Sequence, residues 1–290
     1  ESTLNPDTRR SGGMHYTSIE NIHKVIDPLF LNGLKAELEE IKRIPVERTR
    51  EARLAAYQDK LASLTFLDPA CGSGNFLTES YTSLRRLENE ALRIIYGDNR
   101  VIGELADPIK VSINQFYGIE INDFACSVAQ TALWIAEAQM MQETDEIVGF
   151  TLDPLPLKTY TNIHEGNALR MDWNEVVPAA ELDYIMGNPP FVGARFKSTE
   201  QGDDLVAVFG SQWKNIGNLD YVTGWYKKSW EMMKIHSSIR AAFVSTNSIT
   251  QGEQVPALWK PLMESGVQID FAWRTFIWDS EAMQKAHVHC

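Results

Sequence analysis

Apolar residues recur at helical spacing through the first part of the chain. Ile22, Val25, Ile26, Leu29, Phe30, Leu34, Leu38 and Ile41 fall mostly three or four apart, with polar residues between them. The pattern predicts a helix opening at Ser18-Ile19-Glu20, kinked or divided by Pro28 and ended by Pro45. Residues 50–62 predict a shorter helix with Leu54, Tyr57 and Leu61 on one face. From residue 64 the rhythm changes. Short apolar runs now end at turns and alternate with longer helical patterns, as in a parallel sheet joined by crossover helices. Strands are expected at residues 64–68, 115–121, 160–164, 182–186, 240–245 and 268–276. Helices are expected at 75–96, stopped by Gly97, at 123–141 with Asp123 as its cap, at 219–235 and near 255–263. The polar stretch 193–218 reads as the longest loop. The division implied is a helical segment over residues 1–63 and an α/β domain over 64–290.

Composition adds exclusions. Hydrophobic residues make up 44% and charged residues 23% of the 290, enough for a real core. No apolar run approaches the roughly 20 residues that span a bilayer, and the polar start lacks the apolar core of a signal peptide. A soluble cytoplasmic protein with no membrane partner is expected. Cys71, Cys126 and Cys290 form no C-x-x-C pair, and the six histidines show no ligand spacing, so no metal site is expected. The formal net charge of −12 argues against a broad phosphate-binding surface within the chain.

Two strand ends carry the candidate chemistry. The first is Phe66-Leu67-Asp68-Pro69-Ala70-Cys71-Gly72-Ser73-Gly74-Asn75-Phe76, an apolar strand running into a glycine turn that opens a helix. Gly72 and Gly74 permit positive φ and let a ligand lie against the backbone, at the strand end where open α/β sheets bind ligands. The string matches neither a phosphate-binding loop nor a dinucleotide fingerprint. It resembles motif I of the amino-methyltransferases. That resemblance implies an acid at the end of the next strand, holding the ribose hydroxyls of S-adenosylmethionine, then an apolar residue against its adenine. Glu120 and Ile121 stand in those places. Further on, Asn167-Ala168 occupies the position where the family usually has an acid at the cofactor adenine. Upstream, Tyr16-Thr17 resembles the motif that covers the cofactor's methionine end.

The second strand end is Asp183-Tyr184-Ile185-Met186-Gly187-Asn188-Pro189-Pro190-Phe191. Two prolines cannot extend a ladder and make a stiff turn, which holds Asn188 beside the expected cofactor site. The exocyclic nitrogen of adenine is a poor nucleophile because its lone pair is delocalised into the ring. The Asn188 carboxamide oxygen and the Pro189 carbonyl can accept its two N–H groups and free that lone pair. Such a base must first leave the duplex, and Phe191 is placed to stack on it. Cytosine C5 methylation would need a Pro-Cys nucleophile, and the chain has none.

In this order, Tyr16-Thr17, Asp68 to Gly74, Glu120-Ile121 and Asn188 to Phe191 resemble the gamma class of adenine N6 DNA methyltransferases. Gly217-Asn218-Leu219-Asp220-Tyr221-Val222, Phe243 to Ile249 and Gly252-Glu253-Gln254-Val255 are similar to the MmeI-like restriction–modification family, as is the segment Phe271 to Phe276. The resemblance implies a Rossmann-like class I sheet with helices on both faces after an N-terminal helical segment. Implied partners are double-stranded DNA, contacted largely through regions outside this chain, and in the parent protein a nuclease or helical spacer before this region and a target-recognition domain after it. Arg195, Lys197, Lys214, Lys227 and Lys228 are the candidate phosphate contacts within the chain. The final hairpin is expected to continue past Cys290, so the stretch given should bind cofactor better than it methylates. N-methyltransferases acting on protein glutamine or RNA share the Asn-Pro-Pro-aromatic loop and stand as the alternative.

Overall fold

The computed structural model describes residues 17–96, 108–149, 162–278 and 288–290. Tyr16, Gly97 and the start of the strand expected at 160–164 lie outside them. Helix α1 (Ile19–Ile26) opens on Ser18, whose hydroxyl accepts from the Asn21 N–H at 3.4 Å. Pro28 divides the α-helix, as expected, yet the chain stays helical through it. The helix widens into one π-type turn, Asp27–Leu31, and continues as α2 (Asn32–Lys42), because one wide turn absorbs the bond proline cannot donate. Helix α3 is Glu47–Ser63.

The alternating part follows as β1 (Phe66–Asp68), α4 (Asn75–Tyr96), β2 (Phe116–Glu120), α5 (Asp123–Val148) and β3 (Ile163–Glu165). Then come α6 (Trp173–Val176), β4 (Tyr184–Gly187), α7 (Thr199–Phe209), α8 (Thr223–Ile235), β5 (Arg240–Phe243) and α9 (Lys260–Glu264). A last pair of strands is β6 (Ile277–Trp278) and β7 (Val288–His289).

Three expectations are corrected. The cap of α5 is Asn122, whose carboxamide accepts from Ala125 N–H at 3.0 Å; Asp123 sits one residue inside. The expected loop 193–218 contains α7, opened by a reciprocal Ser198–Gln201 capping box and closed by Gly210 at φ 76°. Its Leu205 and Phe209, one turn apart, are buried. Residues 268–276 form no strand. Side chains tether that run instead: Trp273 donates to the Lys24 carbonyl at 2.7 Å, and Arg240 pairs with Asp270 at 2.8 Å.

Strands β3-β2-β1-β4-β5 form one parallel sheet, and β6 and β7 pair antiparallel with each other. The chain winds outward from β1 through β2 and β3, then returns to β4 on the other side. This reversal opens a crevice at the carboxyl ends of β1 and β4. Alternation along β1 feeds both faces. Phe66 stacks on Phe116, centroids 4.9 Å apart, within a core shared with α1 to α5, whereas Leu67 faces the core of α6, α8 and α9. The helices before residue 64 thus cover one face of the sheet. Within α4, Arg85 and Glu88 are wholly buried and paired with each other. No helix among the described residues is long and apolar enough to cross a membrane.

Candidate functional site

Strand register puts the two candidate loops side by side: Phe66 lies opposite Tyr184 and Leu67 opposite Ile185. Each strand therefore ends beside the other. At the end of β1 the Asp68 carboxylate is 1% exposed and accepts from Ala70 N–H at 3.0 Å. Its nearest obstacle on β4 is Gly187, where an added Cβ would stand 2.3 Å from Asp68 Oδ1. Only glycine fits there. Gly187→Ala is expected to push the carboxylate off Ala70 and cost about 1–3 kcal/mol by overpacking; urea unfolding measures it, and an unchanged midpoint would refute this reading.

The glycine turn is fastened from both sides. Cys71 N–H donates to the Ile119 carbonyl at 3.0 Å, and Gly72 N–H donates to Glu120 Oε2 at 2.9 Å. Glu120 Oε1 accepts from Asn122 N–H at 3.0 Å, so one carboxylate ties the ends of β1 and β2 together. Gly72 and Gly74 adopt φ of 53° and 83°. A Cβ on Gly74 would lie 3.0 Å from that of Ala129, whereas around Gly72 nothing stands within 4 Å of where a Cβ would be. The backbone at Gly72 is open to a ligand. Pro69 is buried and its carbonyl accepts from Trp225 Nε1 at 3.0 Å; Ala70 is half-buried, Asn75 starts α4, and Phe76 points into the core. Ile121, next to Glu120, is 62% exposed.

Burial dominates the electrostatics. It raises the Asp68 carboxyl from 3.8 to about 8, with the Glu120 charge adding and the Ala70 N–H opposing. Burial also raises Glu120, against the N–H bonds from Asn122 and Gly72. The Cys71 thiol is pushed well up by burial and by both acids, which makes it packing and not a nucleophile. Because Asp68 titrates higher folded than unfolded, its contribution to stability is full below about pH 4 and is lost as pH rises through about 8.

At the end of β4, Asn188 Nδ2 donates to the Thr17 hydroxyl at 3.4 Å. Its Oδ1 is buried and has no hydrogen-bond partner among the described residues. Pro189 is buried; Pro190 and Phe191 are half-buried, and the Phe191 ring packs against the cores of both sheet faces. The loop is then pinned by a residue that spacing alone did not single out. Asp220 accepts from Val192 N–H at 3.1 Å, from Val222 N–H at 3.3 Å and from Ser248 Oγ at 3.3 Å, and Tyr221 N–H donates to the Val192 carbonyl at 3.0 Å.

The loop after β3 joins the others through Gly166 N–H, which donates to the Glu120 carbonyl at 2.8 Å. Asn167 accepts from Leu169 N–H at 2.9 Å and donates to buried Asp204 on α7 at 2.9 Å. Asp204 also takes Arg170 and Tyr221. Burial pushes its carboxyl up, but these three donors outweigh burial and hold it low. Ala168 is buried, its carbonyl taken by Trp173 Nε1 at 2.8 Å. Of the five candidate phosphate contacts, three are spent within the fold. Lys197 donates to the Leu219 carbonyl, Lys228 to the Met171 carbonyl, and Lys227 is buried against Glu231, Trp213 and Trp230. Arg195 and Lys214 are exposed.

A parallel sheet in this strand order, with a glycine turn after β1, an acid ending β2 and Asn-Pro-Pro-Phe after β4, defines the class: an α/β methyltransferase domain. The sequence pattern described as "MmeI, DNA-methyltransferase domain" matches residues 44–290, and the chain belongs to that family. It is 40% identical over 300 residues to DNA methyltransferase A of Bacillus subtilis (strain 168), covering 99% of this chain and 32% of that protein. A putative type II restriction enzyme and methyltransferase of Methanocaldococcus jannaschii is 29% identical over 136 residues, 47% of this chain and 11% of the relative. Among solved structures, the Type IIL restriction–modification enzyme MmeI in complex with DNA superposes with a TM-score of 0.92 at 43% identity, over 100% of this chain and 38% of that one. The chain spans 32% and 11% of the curated relatives it matches.

Proposed function

We propose that this chain is the catalytic domain of an enzyme that transfers a methyl group from S-adenosylmethionine to the N6 amino group of adenine in duplex DNA. The observation that carries the proposal is the Asn188 carboxamide oxygen, buried and without a partner among the described residues, at the end of the strand that pairs with β1. A buried acceptor left unmatched costs about 1–3 kcal/mol, and two N–H groups of an extruded base would satisfy it together with the Pro189 carbonyl.

The residues around Gly72 fit the adenosyl cofactor. The open backbone leaves room, the Glu120 carboxylate retains lone pairs for ribose hydroxyls after its two N–H bonds, and Ile121 offers an exposed apolar face for an adenine. When bound, the cofactor supplies a methyl group on a cationic sulfonium. Asn188 and Pro189 orient the amino nitrogen and draw its hydrogens out of the ring plane, which localises the lone pair. Phe191 supports the base, and no covalent link to the protein is needed. In that transfer the methyl would leave sulfur, which keeps the bonding electron pair, for the amino nitrogen, and the nitrogen would shed one proton to solvent. Asn167, engaged with Asp204, serves the cofactor by fixing the loop after β3.

The acidic chain and its scarcity of exposed cations near the site support a division of labour, with most DNA contacts made by a target-recognition domain of the parent protein. Methylome sequencing of a host expressing the full-length gene tests the whole proposal. N6-methyladenine at one recurring sequence is expected; methylcytosine, or label found only in protein or RNA, would overturn it.

Two further outcomes are expected. Glu120→Ala should weaken cofactor binding by about 10- to 100-fold, the scale of one or two hydrogen bonds to a charged group, as read by calorimetry; unaltered affinity would remove the ribose role. Binding a cation beside a carboxyl near pH 8 draws off its proton. Cofactor affinity should therefore rise with pH, at most about tenfold per unit, and level off above about 8. Titration at several pH values checks this, with Asp68→Asn flattening the profile. A flat wild-type profile would sink it.

A further inference from the structure

Phe196 is the most exposed large apolar side chain among the described residues, at 84%. It stands five positions past Phe191, at the closing position of a turn in which its N–H donates to the Gly193 carbonyl at 2.8 Å. The turn is clamped on both sides. Before it, Val192 is bonded to Asp220 and to Tyr221 N–H; after it, Lys197 is tied to the carbonyls of Leu219 and Gly217, and Ser198 caps α7. A loose loop could fold an apolar ring inward. This one holds it in water, although burying a Phe side chain is worth about 1.5–3 kcal/mol. The neighbouring Arg195 is exposed as well, and residues 193–198 carry no acid. An aromatic ring beside a free-standing cation, on a rigid turn next to the base-holding loop, fits a nucleic acid: rings enter base stacks and cations sit on phosphates.

We infer that Phe196 is a stacking wedge, entering the duplex where the target base has left it while Arg195 holds a flanking phosphate. This rests on the proposed DNA methylation. The occupant argued for is a base step of the substrate duplex and not a protein domain.

The test uses the full-length protein and a duplex carrying its modified sequence, with the target base either paired or opposite an abasic site. Phe196→Ala is expected to lower kcat/KM on the paired duplex by about five- to a hundredfold, as loss of 1–3 kcal/mol of stacking corresponds to. On the abasic duplex, where extrusion is easier, the deficit should shrink to about threefold or less. Phe196→Trp should retain activity on both, and cofactor affinity should be unchanged in either variant. Arg195→Ala should weaken both duplexes alike and reduce the salt slope by about one. A Phe196→Ala enzyme equal to wild type on the paired duplex overturns the inference. So does an equal loss on both duplexes, the result expected if the ring packs against another part of the parent protein. A wild-type protein that methylates neither duplex would overturn the adenine reading itself, and the wedge with it.

Discussion

Replacing Asn188 with alanine is expected to lower methyl transfer by about 10²–10³-fold, the scale of removing one preorganised polar group from a site of developing charge. Cofactor affinity should stay within a few-fold of wild type, because the Gly72–Glu120 bond at the proposed ribose end does not involve Asn188, whose described side-chain bond is a long one, 3.4 Å, to the Thr17 hydroxyl. The split is what gives the experiment its meaning. Asn188 is half-buried at a loop, and its carboxamide oxygen bonds to nothing else among the described residues. The substitution thus removes little that folding needs. Single-turnover transfer to duplex DNA, beside equilibrium binding of the cofactor, separates the two effects. If transfer survives within a few-fold, the orienting role is wrong. If binding and transfer fall together, Asn188 is holding the loop in shape.

The second large effect lies in the core behind the site. Arg85 and Glu88 are both 0% exposed. Arg85 also reaches Thr144 Oγ1 at 2.7 Å and the Met140 carbonyl at 3.4 Å on α5, while Glu88 accepts from Lys110 N–H at 2.7 Å and Val111 N–H at 3.2 Å. The pair bridges α4, α5 and the segment leading into β2. Removing one partner strands a buried charge, so Arg85→Met should destabilise the domain by about 3–5 kcal/mol. Replacing both, Arg85→Met with Glu88→Leu, should recover part of that loss, since no lone charge then remains. Urea unfolding of the single and double variants decides the matter. A single variant within about 1 kcal/mol of wild type would show the pair to be dispensable.

Local chemistry explains what could be read in advance. The β1 turn, Glu120 and the Asn-Pro-Pro-Phe turn are written in contiguous residues, and strand ends are where α/β sheets gather ligands. Their adjacency was implied by the resemblance to the amino-methyltransferases, since alternation of strands and helices does not by itself fix which strands are neighbours. The supports were harder to see. Asp220 supports the Asn-Pro-Pro-Phe loop from 28 residues away, and Asp204 reaches Asn167 across 37. A buried acid of that kind has the same local pattern as a solvated one. Helix α7 was signalled by Ser198 and Gln201, but the glycines around it read as loop. The stretch 268–276 had a strand's composition, yet Trp273 and Asp270 commit it to side-chain tethers. Pro28 shows the reverse case, a breaker tolerated because tertiary packing buries Leu29, Phe30 and Leu31 around it.

The shared core of the leading helices and the sheet has a consequence for recombination between relatives. A crossover placed between Ser63 and Leu64 would ask a foreign set of helices to cover Phe66 and Phe116, and mismatched side chains there would leave the sheet's face wet. Exchanges that keep residues 19–63 with their own strands should yield soluble chimeras, whereas those that part them should aggregate.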